Sequence, residues 1–222
     1  MAAQRPDDQY IEVGDIRTRY WVLGNGQPPV ILLHGLGGYK ENWDLNITAL
    51  AQARQVYALD LPGFGLSDKP EVEYTIPYLT DFLYKFMQTL EIERATLIGE
   101  SMGSMISLWF AWQYPDRIEK LVLAASGGLG KEVSIYLRIM TLPILGEYFV
   151  RPSRSGSEDL QKMLFYDQDL IIDEWIEEDY QMSLLPGAQR CLLSALRSMG
   201  NIWGFKRDVY KPILENLEKI EA

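Results

Sequence analysis

Ser101 carries the strongest chemical signature in this sequence. It stands in Gly99-Glu100-Ser101-Met102-Gly103, directly after the apolar run Ala95-Thr96-Leu97-Ile98 and directly before a helical pattern over 102–114. A strand that turns sharply into a helix pushes the middle side chain of such a pentapeptide out at the sheet edge. Small residues two before and two after it relieve the crowding. The hydroxyl then lies at a helix N-terminus, where unpaired amides and the helix dipole favour negative charge. Residues so placed suit nucleophilic attack with a stabilised oxyanion. A tight turn that happens to contain a serine is the plain alternative.

Two further glycine-rich blocks follow apolar runs. His34-Gly35-Leu36-Gly37-Gly38 comes after Val30-Ile31-Leu32-Leu33, and its glycines let the chain turn back and aim a backbone amide at a neighbouring strand end. Asp60-Leu61-Pro62-Gly63-Phe64-Gly65-Leu66-Ser67-Asp68 comes after Gln55-Val56-Tyr57-Ala58-Leu59. This third block lacks the Lys-Ser/Thr of a phosphate-binding loop, which makes that reading weak.

These residues need a frame to position them. Residues 10–23 alternate around Gly14-Asp15 and read as a β-hairpin. The apolar runs at 30–33 and 55–59 read as strands buried on both faces, and those at 95–98 and 121–124 as further strands. Helical patterns cover 43–53, 77–90 and 102–114, the second with Leu79, Phe82, Leu83, Phe86 and Leu90 on one stripe, the third stopped by Pro115. Alternation of strand and helix predicts an α/β fold with a mostly parallel, doubly wound sheet. After Ser126 the character changes. Gly127, Gly128 and Gly130 form a hinge-like stretch, and the residues to about Gly204 are mostly helical with no clear strand. The expected organisation is a core over 1–126, a helical cap over 127–204 and a return helix within 205–222, at 209–220. The cap carries an acidic run of Asp167, Asp169, Asp173, Glu174, Glu177, Glu178 and Asp179, which reads as a solvated helix face or as a lid over a site.

Composition narrows the function classes. The 222 residues are 47% hydrophobic and 23% charged, as in globular domains, and the net charge of −10 disfavours nucleic acid as a partner. One cysteine, Cys191, excludes an intrachain disulfide and fits a reducing, cytoplasmic compartment. With one histidine, His34, no Cys/His zinc site can form, and no metal or other cofactor is expected. The first ten residues lack the apolar core of a secretory signal, and no apolar run is long enough to span a membrane. Asn46-Ile47-Thr48 matches a glycosylation acceptor and is read as coincidence.

Together the three blocks resemble the α/β-hydrolase superfamily, in the branch with a helical cap, over roughly residues 10–220. The resemblance implies that Ser101 is the nucleophile, that the backbone amides of Met102 and Leu36 hold the oxyanion, and that Gly99 and Gly103 form the elbow. It implies that His34, Gly35 and Gly37 build the oxyanion turn, with the His34 ring packed inward, and that Asp60 and Ser67 shape the mouth of the site. Glu100 falls at a variable position and is read as a loop or solvent contact. A serine, rather than the Asp of dehalogenases and epoxide hydrolases or the Cys of dienelactone hydrolases, points to esters, lactones, thioesters, peptides or the carbon–carbon bonds of diketone-like substrates. The elbow looks like those of esterases and meta-cleavage-product hydrolases. The implied partner is a small hydrophobic acyl or aryl substrate, with Trp175, Tyr180, Met182, Leu184 and Trp203 as candidate lining residues.

The pattern also breaks. The family orders its triad Ser, then Asp or Glu, then His. No histidine follows Ser101, and Ala124-Ala125-Ser126 offers no carboxylate. The sequence stops about where the family's last strands begin. The expectation is therefore a serine hydrolase without its final strands, base and acid, inactive as it stands. The strand at 121–124 would be an exposed edge, covered by further chain or by a homo-oligomer. Two rivals are a non-catalytic relative that binds a small hydrophobic ligand, and a remodelled enzyme using His34 or water as base.

Overall fold

A computed structural model describes residues 5–220. The signal-peptide reading of residues 1–10 and the end of the chain lie partly outside the described residues. The core is a six-stranded sheet of β1 (Gln9–Val13), β2 (Ile16–Leu23), β3 (Val30–Leu33), β4 (Val56–Leu59), β5 (Ala95–Glu100) and β6 (Ile118–Ala124). Its spatial order is β1-β2-β4-β3-β5-β6. The first two strands form the expected hairpin, and β2 pairs antiparallel with β4. The pairs β3–β4, β3–β5 and β5–β6 are parallel.

Every residue of β3 and β4 is buried, which explains their unbroken apolar sequence. Alternate side chains serve the two faces. Val30, Leu32, Val56 and Ala58 pack with Trp21, Trp43 and Ile47, where α1 (Asp44–Leu50) lies. Ile31, Leu33, Tyr57, Leu59 and Leu97 pack with Phe82, Phe86 and Phe110 from α2 (Ile76–Thr89) and α3 (Met102–Gln113). In α2 the apolar stripe faces this core, and the Thr75 side chain caps the helix by accepting from the Tyr78 amide. Helix α3 is buried almost all round, because β3, β5, β6, α2 and α9 (Arg207–Asn216) all pack against it.

Between β6 and α9 the chain forms α4 (Ile135–Met140), α5 (Leu145–Phe149), α6 (Arg154–Leu164), α7 (Asp173–Leu184) and α8 (Ala188–Met199). These helices share a small apolar cluster of Met140, Val150, Leu193 and Leu196. The stretch expected to lack strands ends in a short ribbon, β7 (Gly200–Asn201) with β8 (Gly204–Phe205). Two residues per strand leave no alternation to read. The helix expected over 43–53 begins as a 3-10 turn at Lys40–Trp43 and ends at Leu50. Among the described strands β6 forms one edge of the sheet, and it exposes Val122 (48%) and Leu123 (36%).

Candidate active site

The elbow between β5 and α3 holds Ser101 at φ 52° and ψ −109°. A residue with a side chain is strained in this region, and strain of this kind persists only where the surroundings enforce it. They do so here. The Ser101 amide donates to Ala124 O at 2.9 Å, and Ser104 Oγ donates to Gly99 O at 2.6 Å. A Cβ on Gly99 would overlap the Gly103 carbonyl, and one on Gly103 would overlap the Leu33 carbonyl oxygen. Any larger residue would therefore push α3 off β3. Ser101 stays partly exposed, while Met102 behind it is buried.

The turn after β3 lies at the same end of the sheet, since β3 and β5 are parallel neighbours. Gly38 N donates to Gly35 O at 3.1 Å and closes the turn, with Gly37 at φ 79°. The Leu36 and Met102 amides find no acceptor among the loop and cap hydrogen bonds of the described residues.

His34 is fully buried below this turn. Its Nδ1 lies 2.8 Å from Gly35 O, and its Nε2 accepts from the Leu61 amide at 3.0 Å. An Nε2 that accepts must be unprotonated, so Nδ1 carries the proton and donates. Burial pushes the His34 pKa down. Both ring nitrogens are thereby committed to backbone, and neither is turned to Ser101. Glu100 makes the expected loop contact and is half-buried. Its carboxylate rests on Gly35, and burial raises its pKa against the opposing pull of the Gly35 amide.

Asp60 lies beneath the site rather than at its mouth. It is fully buried and accepts from Arg19 Nε at 2.6 Å, from Lys40 N at 2.8 Å and from Leu66 N at 2.8 Å. Ser67 Oγ donates to Asp60 O at 2.8 Å and accepts from Arg19 N at 2.8 Å. Arg19 also reaches Glu41 at 2.9 Å, and fully buried Lys40 pairs with Glu41 at 2.6 Å and Asp8 at 2.8 Å. Burial works against the Arg19 charge, yet Asp60, Glu41 and Asp8 outweigh it and hold its pKa up. Sequence reasoning missed this network, because Arg19 and Lys40 stand where charged residues ordinarily face water.

The expected lining residues do not form one wall. Trp203 is 81% exposed and Leu184 is also exposed. Trp175 stacks on Phe165 beside a cavity of about 80 Å³ that Tyr39, Glu41 and Asp44 also line, and neither Ser101 nor Leu36 lines it. The acidic run divides. Asp173 and Glu177 pair with Arg154 at the surface, whereas Asp179 accepts from Tyr39 Oη at 2.7 Å and Glu178 pairs with Arg5. Among the described residues no group of three or more His, Cys, Asp or Glu side chains could hold a metal ion.

Residues 28–171 match the family model of the alpha/beta hydrolase fold. The chain belongs to the α/β-hydrolase family. A dihydrolipoyllysine-residue acetyltransferase component of the acetoin cleaving system of Pseudomonas putida is 34% identical over 195 residues, 86% of this chain and 50% of that protein. A 2-hydroxy-6-oxo-2,4-heptadienoate hydrolase of Pseudomonas putida is 30% identical over 194 residues, 86% of this chain and 67% of that protein. Among solved structures, a meta-cleavage product hydrolase from Pseudomonas fluorescens IP01, a serine-to-alanine variant complexed with acetates, superposes with a TM-score of 0.76 at 28% identity, over 92% of this chain and 75% of that one. The chain spans about half the length of several curated relatives of this α/β hydrolase. No helix among the described residues is long and apolar enough to cross a membrane.

Proposed function

We propose that this α/β hydrolase uses Ser101 to attack a carbonyl carbon of a small hydrophobic acyl or aryl substrate, an ester or the carbon–carbon bond of a diketone-like dienoate. The Leu36 and Met102 amides take the oxyanion, and α4–α8 act as the cap. The observation that carries this reading is the strained backbone at Ser101, enforced by glycines on both sides. The dienoate class is favoured by the names of relatives at 30% and 34% identity. The general base and its acid would come from residues outside this sequence, since the one histidine has both ring nitrogens engaged. A strand from outside this sequence, or a second copy, would cover β6. The lone buried thiol of Cys191 supports a cytoplasmic setting.

A second reading, ligand binding without turnover, draws on the same unoccupied role of base. One experiment separates the two. A fluorophosphonate is offered to the chain with imidazole as an external base, and adducts are mapped by mass spectrometry. Adduct on Ser101, lost in Ser101→Ala, supports the hydrolase. Equal labelling of both proteins, or none with imidazole present, rejects it. Cleavage of a 2-hydroxy-6-oxo-dienoate against a p-nitrophenyl ester, in a protein carrying a base, then decides the bond.

A further inference from the structure

The turn that presents the Leu36 amide is fastened to the core at both ends. Before it, the His34 ring bridges Gly35 O and the Leu61 amide. After it, Tyr39 N donates to Asn42 Oδ1 at 2.7 Å and Lys40 N donates to Asp60. Beyond the main core, which the Leu36 side chain also touches, its outer face meets the helical segment. The Leu36 side chain packs into the cluster of Met140, Leu193 and Leu196, and the methyl of Leu192 closes the space above Gly37. One polar bond joins this face to α7, that of Tyr39 Oη to Asp179 Oδ1 at 2.7 Å. Asp179 is held in turn by Gln161 from α6. Tyr39 is buried and Asp179 is half-buried, so the bond is partly shielded from solvent and removing Asp179 leaves a buried hydroxyl without its acceptor.

We infer that Asp179 is a positioning residue for the oxyanion turn, acting through Tyr39, so that the seating of α7 over the core sets where the Leu36 amide points. This rests on the reading of Leu36 as an oxyanion donor. The residues are 140 apart in sequence, and the coupling needs no contact between Asp179 and substrate. A ligand that lifts α7 would slacken the turn, and one that lets α7 seat would tighten it.

The test reads the turn directly and the chemistry separately. Exchange of the Gly38 amide, whose bond to Gly35 O closes the turn, is followed by NMR in the ¹⁵N-labelled chain. Tyr39→Phe and Asp179→Ala should each speed it about tenfold, the loss expected for one buried hydrogen bond. The double variant should add little to either. Asp179→Asn, whose carbonyl still accepts from Tyr39, should stay within about twofold of wild type. Imidazole-assisted phosphonate labelling of Ser101 should fall in the first two variants and recover in the third. Unchanged Gly38 exchange in Tyr39→Phe and Asp179→Ala overturns the inference, as does an Asp179→Asn protein that behaves like the alanine variant. A loosened turn with unchanged labelling also overturns it. If the amides respond as expected but Ser101 is never labelled, the coupling stands and the hydrolase reading fails. Should Asp179→Ala not fold, Tyr39→Phe alone carries the comparison.

Discussion

The His34 ring and the Leu61 amide face one another at 3.0 Å, and this single bond ties the turn after β3 to the loop after β4. It requires an unprotonated Nε2. An unfolded histidine takes a proton below about pH 6.5, while burial holds the folded one neutral to lower pH. The unfolded state therefore binds the extra proton first, and stability declines as pH falls from about 6.5 toward the lowered pKa. Above that window this group contributes no slope. Urea midpoints of the wild-type chain and of His34→Gln, measured from pH 5 to 8, should differ most above pH 6.5 and converge below it. The substitution itself should cost about 2–4 kcal/mol near pH 7, through two broken buried hydrogen bonds. A constant difference across the range would mean that His34 titrates as it does in water.

Glycine is needed at some positions and merely convenient at others. Gly103→Ala drives a methyl into the Leu33 carbonyl, and Gly99→Ala drives one into Gly103, in both cases against backbone that cannot swing aside. Each should cost about 3 kcal/mol or more. Gly14 in the first hairpin has φ 62° but nothing within 4 Å of a Cβ, so Gly14→Ala should cost only about 1 kcal/mol. Chemical denaturation of the three variants gives the ranking, and equal costs would contradict the steric account.

The parts of this molecule that were legible in the sequence are those whose cause is local. The unbroken Val30-Ile31-Leu32-Leu33 needs burial on both faces, and the pentapeptide around Ser101 needs a sharp strand-to-helix turn. Both stand where expected. Arg19 and Lys40 were not legible. Their partners Asp60, Glu41 and Asp8 meet them only after β2, β3 and β4 assemble, and nothing in the local pattern distinguishes a buried cation from an exposed one. The Tyr39–Asp179 bond was hidden for the same reason, since Asp179 reads as one more member of an acidic helix face. Trp203 misled in the opposite sense. A large aromatic ordinarily seeks cover, but the tight turn between β7 and β8 points it into solvent.

The strain at Ser101 gives a prediction in which stability and chemistry move apart. Glycine occupies φ 52° without the steric penalty that a Cβ brings. Ser101→Gly should therefore raise the urea-derived stability by about 0.5–1 kcal/mol while abolishing phosphonate labelling. Ser101→Ala, which keeps the Cβ, should abolish labelling without that gain. A Gly variant no more stable than the Ala variant would show that the elbow is relaxed and not held under load.

The engagement of both His34 nitrogens leaves Ser101 with no histidine base among the described residues, and this determines how its reactivity should depend on solution conditions. A serine hydroxyl keeps its proton near neutral pH and attacks slowly. Free imidazole can accept that proton, so the labelling rate should climb linearly with imidazole concentration, reaching about tenfold at the highest concentrations tolerated, less than a positioned base provides. Only the neutral form accepts. At fixed total imidazole the rate should therefore rise with pH through about 6.5–7 and then level off, following the imidazole pKa and not that of any protein group. Rates independent of imidazole would mean that a base already acts at Ser101. The Leu36 and Met102 amides would still lower the barrier under either regime, which is why labelling should exceed that of the unfolded chain in urea even with no imidazole present.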